Sequence, residues 1–167
     1  MVSELATRTA WSVAAETPDP ELPTLTIGDL GILRSVEETD DGAVATITPT
    51  YSGCPAMREI SADVRARLER AGYVRVDVRT QLAPAWSSDW ITADGRRKLA
   101  LAGIAPPQPA PRRTGPVPLT LGPRPSAACP RCGAVDTAET AAFSGTACKS
   151  LHRCRRCDEP FEAVKAL

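Results

Sequence analysis

Residues 43–78 read AVATITPTYSGCPAMREISADVRARLERAGYVRVDV, and the changes of period within this stretch decide the fold. Ala43 to Thr50 is a candidate strand, entered from the turn signal Thr39-Asp40-Asp41-Gly42. After the loop Tyr51-Ser52-Gly53 the period lengthens. Met57, Ile60, Val64 and Leu68 recur at three and four residues, one face of a helix that Gly72 is placed to end. Val74 to Val78 returns to a period of two, with Arg75 and Asp77 alternating against valines, as a half-buried strand requires.

Working outward, a strand at Gly31 to Glu37 pairs with Ala43–Thr50 as a hairpin. Ser3 can cap a first helix running towards Ala15, with Leu5, Trp11 and Ala14 for its apolar side, until Pro18 and Pro20 stop it. A last helix is expected from Ala93 to Ala102, after the loop Trp86 to Trp90 and before Gly103. The expectation is an α+β chain whose residues 1–105 form a small two-layer domain in the order α-β-β-α-β, helices on one face of the sheet. Half of the 16 prolines fall between Pro106 and Pro125, so residues 106–126 read as a semi-rigid, polyproline-like linker. Residues 127–167 then form a separate small module.

Five of the six cysteines lie in that module. CPRCG at 129–133 and CRRC at 154–157 give two C-x-x-C pairs separated by 21 residues. Each pair can place two thiolates on one tight turn, and a hairpin that joins the turns completes the tetrahedron Zn²⁺ prefers, with Cys129, Cys132, Cys154 and Cys157 as ligands. The alternatives are four unliganded thiols or two disulfides, and four thiolates also suit iron. Cys148 is either a substitute ligand or a small residue packed beside the site. His152, the only histidine, is either a substitute ligand or, the favoured reading, a solvated strand residue.

Cys54 stands apart, in Gly53-Cys54-Pro55 where the second helix begins. Proline at the first helical position would leave the thiol at or beside the cap, where free N–H groups favour an anion and lower its pKa. The other reading is a buried cysteine acting as a small hydrophobe. Asp19, Glu21 and Asp29 are nearby carboxylates that can complete a site, or turn formers beside Pro and Gly. With its one histidine in the ribbon, the chain carries neither a Cys-His nor a Ser-His-Asp arrangement in the first domain, and it has no phosphate-binding Gly-rich loop.

The 20 basic and 20 acidic residues balance, which argues against a global field for nucleic acid or anionic membrane. The start of the chain lacks the pattern of a secretory signal, and no segment approaches the ~18 apolar residues of a membrane span. A cytoplasmic protein is therefore expected, in which clustered thiols bind metal.

DPELPTLTIGDLGILRSV (19–36), TPTYSGCPAM (48–57), WSSDWIT (86–92), GRRKLALAGIAPP (95–107), CPRCG (129–133) and GTACKSLHRCRRCDEPFE (145–162) together resemble the PaaD family of phenylacetate-degradation proteins, which belong to the bacterial phenylacetyl-CoA epoxidase system. The resemblance spans nearly all the chain apart from its first residues and the linker. It implies that the first domain is similar to the SufT-like domain of iron-sulfur assembly proteins, with Cys54 at the position of their cysteine. It also implies an accessory subunit that is not itself the oxygenase and that helps assemble the metal centres of a di-iron oxygenase or of a reductase carrying flavin and a plant-type iron-sulfur cluster. Those epoxidase components are then its partners. Two departures are FSGTACK (143–149), where the family reads FGSTACK, and His152, where an aromatic Tyr is usual.

Three functions follow for testing. In a maturation factor, Cys54 transiently holds iron or a cluster while a zinc ribbon stays fixed; one cysteine cannot hold a cluster alone, so a second copy, a partner thiol or the carboxylates supply the rest. An electron carrier would instead keep iron in the ribbon. A nucleic-acid-binding ribbon would use Lys149, Arg153, Arg155 and Arg156 with Phe143 and Phe161, and ranks last.

Overall fold

The computed structural model describes residues 9–40, 42–110 and 126–167. The Ser3 cap, Leu5 and the linker's residues 111–125 lie outside the described residues. By its internal contacts the chain divides into two compact units after Trp86.

In the first unit the order is α1 (Ala10–Ala15), β1 (Leu33–Glu38), β2 (Gly42–Ile47), α2 (Met57–Arg70) and β3 (Arg75–Thr80). Thr9 caps α1, its hydroxyl accepting from the Ser12 N–H at 3.2 Å. The apolar side of α1 differs from the expected one: Ala10, Val13 and Ala14 are buried, whereas Trp11 is 44% exposed. Spacing explains this, since 10, 13 and 14 share a helical face and 11 lies off it.

The sheet order is β1-β2-β3. β1 and β2 are antiparallel, from Leu33↔Ile47 to Glu38↔Ala43. The hairpin closes through Thr39 N–H to Gly42 C=O at 2.9 Å. β3 runs parallel to β2, from Gly42↔Arg75 to Ile47↔Thr80, and α2 makes the crossover that a parallel pair requires. A side chain at Gly42 would place its Cβ 2.5 Å from the Arg75 carbonyl oxygen, so the close approach of β2 to β3 needs glycine there. β1 begins two residues later than expected because Gly31 takes φ +67 and the Ile32 and Leu33 N–H groups both turn back to the Ile27 carbonyl. β2 stops at Ile47, ahead of Pro49.

The periodicity of α2 reads out directly: Ile60, Val64 and Leu68 are each at most 1% exposed. α2 packs against β2 and β3, and Ala43, Ala45 and Ile47 of β2, Val76 of β3 and the loop residues Leu25 and Ile27 are buried as well. α1 packs against both β1 and α2.

The second unit corrects the expected placement of the last helix. After a 3-10 turn (Ser88–Trp90), α3 (Ala93–Leu101) leads into β4 (Ile104–Ala105), which pairs in parallel with β7 (Pro160–Val164), Ala105 opposite Ala163. The helix read as part of the first domain is thus carried into the second unit by the strand that follows it. Thr92 caps α3 through Gly95 N–H at 3.0 Å, and the Arg96 guanidinium donates to the Pro107 and Ser88 carbonyls at 2.7 and 2.8 Å. With β5 (Thr137–Ala141) and β6 (Lys149–Cys154), the sheet order is β4-β7-β6-β5. Its core is Ala105, Ala127, Cys129, Cys154, Phe161 and Ala163, a small set in which two members are cysteines. No helix among the described residues is long and apolar enough to cross a membrane.

Candidate metal centre

Two short turns carry the cysteine pairs, and they are built alike. In the first, Cys129 N–H donates to the Ala134 carbonyl at 2.9 Å and Gly133 N–H to the Cys129 carbonyl at 2.9 Å. In the second, Cys154 N–H donates to the Glu159 carbonyl at 2.9 Å and Asp158 N–H to the Cys154 carbonyl at 3.0 Å. Each turn needs a left-handed residue after its second cysteine: Gly133 takes φ +71 and Asp158 takes φ +63. Glycine adopts that conformation freely and aspartate is among the few other residues that tolerate it.

The turns bring the Sγ atoms of Cys129, Cys132, Cys154 and Cys157 within 4.8 Å of one another. Cys129 and Cys157 are 3.7 Å apart and Cys132 and Cys154 are 3.6 Å apart. Zinc–sulfur bonds of ~2.3 Å at tetrahedral angles separate sulfurs by about 3.8 Å, so the donor set fits such an ion. Backbone N–H groups of Cys157 and Arg156 pull the Cys154 thiol down to about 7 against the opposing effect of burial. Cys157 goes the other way, to about 12: the Glu159 N–H lowers it, but burial and the neighbouring sulfurs outweigh that. Four sulfurs this close cannot all be thiolates unless a cation sits among them.

Cys148 lies outside this group. It is buried just ahead of β6, 3.2 Å from the Thr146 hydroxyl. His152 is also no solvated residue: it is 6% exposed, its ring stacks on Phe161 at 5.5 Å, and its Nε2 is 2.9 Å from the Ser150 hydroxyl. Burial pushes its pKa down. The alternation of β6 could have shown this, because Ser150, His152 and Cys154 share the inward face.

The charges of the module are matched. Lys149, 7% exposed, pairs with Glu162 at 2.7 Å; Arg153 grips Asp158 at 2.7 and 2.6 Å; Arg155 lies 3.5 Å from Asp136. Arg131, between the first two cysteines, donates to Glu159 beyond the second pair. Phe161 is buried, and the Lys165 ammonium sits 3.9 Å over the Phe143 ring. A phosphate backbone would therefore compete with carboxylates for most of the cations read from the sequence.

In the first unit Cys54 is half-buried, two residues ahead of Ala56, which is the N-cap of α2. It is thus further from the helix than expected, and its thiol is raised, not lowered. Burial is the main cause; the Ala56 N–H opposes it, and the charges of Glu21 and Asp19 add to it. The charges of Glu21 and Asp19 thus act on the Cys54 thiol. Asp19, buried, spends Oδ1 on the N–H groups of Glu21 and Leu22 at 2.9 and 2.8 Å. Asp29 exchanges hydrogen bonds with Thr26, Thr26 N–H to Oδ2 at 2.9 Å and Asp29 N–H to the Thr26 hydroxyl at 3.1 Å. Both carboxylates shape the loop that carries Glu21. Among the described residues only the four ribbon cysteines form a group of three or more close donors fit for a metal ion.

Residues 15–79 match the model of an iron-sulfur cluster assembly protein family, and residues 113–165 match that of the PaaD zinc beta ribbon domain. A protein of Escherichia coli (strain K12), named as a subunit of 1,2-phenylacetyl-CoA epoxidase, is 42% identical over 94% of this chain and 91% of its own length. An Fe-S protein maturation auxiliary factor of Porphyromonas gingivalis is 34% identical over 48% of this chain and 78% of its own. A solved DUF59 domain from Bacillus anthracis superposes with a TM-score of 0.51 at 26% identity, covering 55% of this chain and 89% of that one.

Proposed function

Because the chain belongs to the PaaD family of phenylacetyl-CoA epoxidase subunits, we propose that it is a maturation subunit, delivering iron or an iron-sulfur cluster to a metal-bearing component of that epoxidase. The carrying observation is the separation of two sulfur chemistries. Four thiols form a closed cage in one unit, while a single half-buried thiol lies under the charges of two carboxylates in the other.

In this reading the cage holds zinc for good and has no redox role. Its hydrogen-bonded turns keep the four sulfurs at ligand spacing, and the metal supplies folding free energy that a core of this size lacks. Cys54 binds the cargo. Its raised pKa keeps it protonated and inert until a cation arrives, whose charge offsets Glu21 and Asp19 and lets the thiol ionise. The remaining ligands come from a second copy or from the client, an oxygenase or reductase component, in the cytoplasm. A weakly held ligand set is what transfer needs, because a donor has to let go.

Anaerobic purification of wild type and Cys54→Ser, with zinc, iron and acid-labile sulfide measured per chain, tests the assignment. Equal zinc in both, with iron or cluster accepted by wild type alone, supports it. Iron retained by Cys54→Ser and lost from Cys129→Ser makes the ribbon an electron carrier and overturns it.

A further inference from the structure

We propose that Arg131 and Glu159 form a latch across the two cysteine turns that sets how fast metal leaves the four-thiol cage. The latch rests on that cage holding a metal and concerns how the metal is retained. Arg131 sits between Cys129 and Cys132 in the first turn, and Glu159 lies two residues beyond Cys157 in the second. Their side chains meet across the site, guanidinium to carboxylate, and the Glu159 backbone carbonyl also accepts the Cys154 N–H that closes the second turn. The pair therefore ties the first turn to the hydrogen bond that shapes the other.

The first turn also sets Arg131 one residue from Cys132 and two from Cys129. Four thiolates around a divalent ion carry a net charge of about −2, and a cation placed against both turns offsets part of it. Were a chelator to take a metal held there, one bond from its donor atom to the metal would form as one cysteine–metal bond broke, and the freed thiolate would take a proton from solvent. With the turns tied together that thiol stays beside the metal, returns its proton to solvent and rebinds. With the tie cut it swings away with its turn, and the next bond breaks sooner.

Two other described ion pairs of the module do not join the cysteine turns: Arg153–Asp158 stays within the second turn and its strand, and Lys149–Glu162 joins β6 to β7. Arg155–Asp136 runs from the second turn to the residue ahead of β5, and the Arg155 N–H also bonds the Asp136 carbonyl, so that pair is no neutral control. Arg153 is 58% exposed against 68% for Arg131, which makes it the control for charge and surface position.

The test is zinc transfer from the loaded full-length chain to a chromogenic chelator in excess, followed as a first-order rate. Arg131→Ala and Glu159→Gln should each release zinc about threefold to tenfold faster than wild type, less than for buried outer-shell partners because the pair is partly exposed. The swapped pair Arg131→Glu with Glu159→Arg should return to within about twofold of wild type, and Arg153→Ala should stay there throughout. Should Arg131→Ala take up no zinc, Glu159→Gln, nearly isosteric, decides alone. Wild-type rates in the single variants, an equal acceleration in Arg153→Ala, or a swapped pair as fast as the singles overturns the latch. A wild-type chain that retains no metal at all overturns the metal reading instead.

Discussion

The four-thiol cage and the environment of Cys54 show opposite solutions to placing sulfur near negative charge. In the cage two of the four thiols are buried, the sulfurs lie at ligand spacing, and every turn hydrogen bond serves to hold them there. At Cys54 one half-exposed thiol faces carboxylates, with no set of three close donors among the described residues. The first arrangement is unstable without a cation and rigid with one. The second is stable without a cation and bare of the ligands that would keep one. On the function proposed above, permanence belongs to the cage and transience to Cys54.

Removing the metal should expose that contrast most strongly. Cys154→Ser, or wild type stripped by chelator, is expected to lose the protection of β5, β6 and β7 in hydrogen exchange, because structural zinc contributes about 10–16 kcal/mol to such modules. Residues 33–80 should keep theirs. A ribbon sheet that remains protected without metal would break the comparison, since the cage would then be no condition of folding.

Leu68→Ala tests the first unit in the converse way. Leu68 is fully buried under the sheet, and its truncation should cost about 2–5 kcal/mol in denaturant unfolding of that unit. Zinc per chain should be unchanged. A drop in zinc would mean that the two units are energetically one.

Asp19 separates loop-building from ligation. Asp19→Ala leaves two N–H groups without their acceptor in a buried place and should cost about 1–3 kcal/mol. Asp19→Asn keeps an oxygen for both and should cost much less. If the asparagine variant unfolds as readily as the alanine one, the charge itself holds the loop, and the view of Asp19 as an Asx-type turn former fails.

The legible parts of this fold are those in which a pattern repeats. Ile60, Val64 and Leu68 announced α2, the valines of Val76 and Val78 announced β3, and paired C-x-x-C turns announced the ribbon. Long-range features left no local trace. β4 is two residues long, too short for any period, yet its pairing with β7 moves α3 into the second unit. Asp158 stands where a glycine would have flagged the left-handed position, so the likeness of the two turns was hidden in a different residue. Lys149 reads as a surface cation by type alone, and only the tertiary pairing with Glu162 explains its burial. At Cys54 the sequence showed Pro55 and suggested a helix-start thiol, but the cap falls on Ala56, and burial outweighs the N–H that helps.

The smallest expected effect probes that last balance. Burial is the largest cause of the raised Cys54 pKa, and Glu21 contributes through charge, so Glu21→Gln should lower the pKa without restoring an ordinary thiol. The sign follows from the thiolate: removing a nearby negative charge stabilises it, so at a pH below the pKa more of it is present. Alkylation of Cys54 near pH 8, read by peptide mass spectrometry on zinc-loaded protein, should quicken by about twofold to fivefold at low salt. The difference should shrink as salt screens the charge, and vanish above the thiol pKa where both proteins are fully ionised. An acceleration that persists at high pH would mean that the substitution opened access to the sulfur. In that case Glu21 guards Cys54 by covering it, and the contrast between the two sites would be one of shape more than of charge.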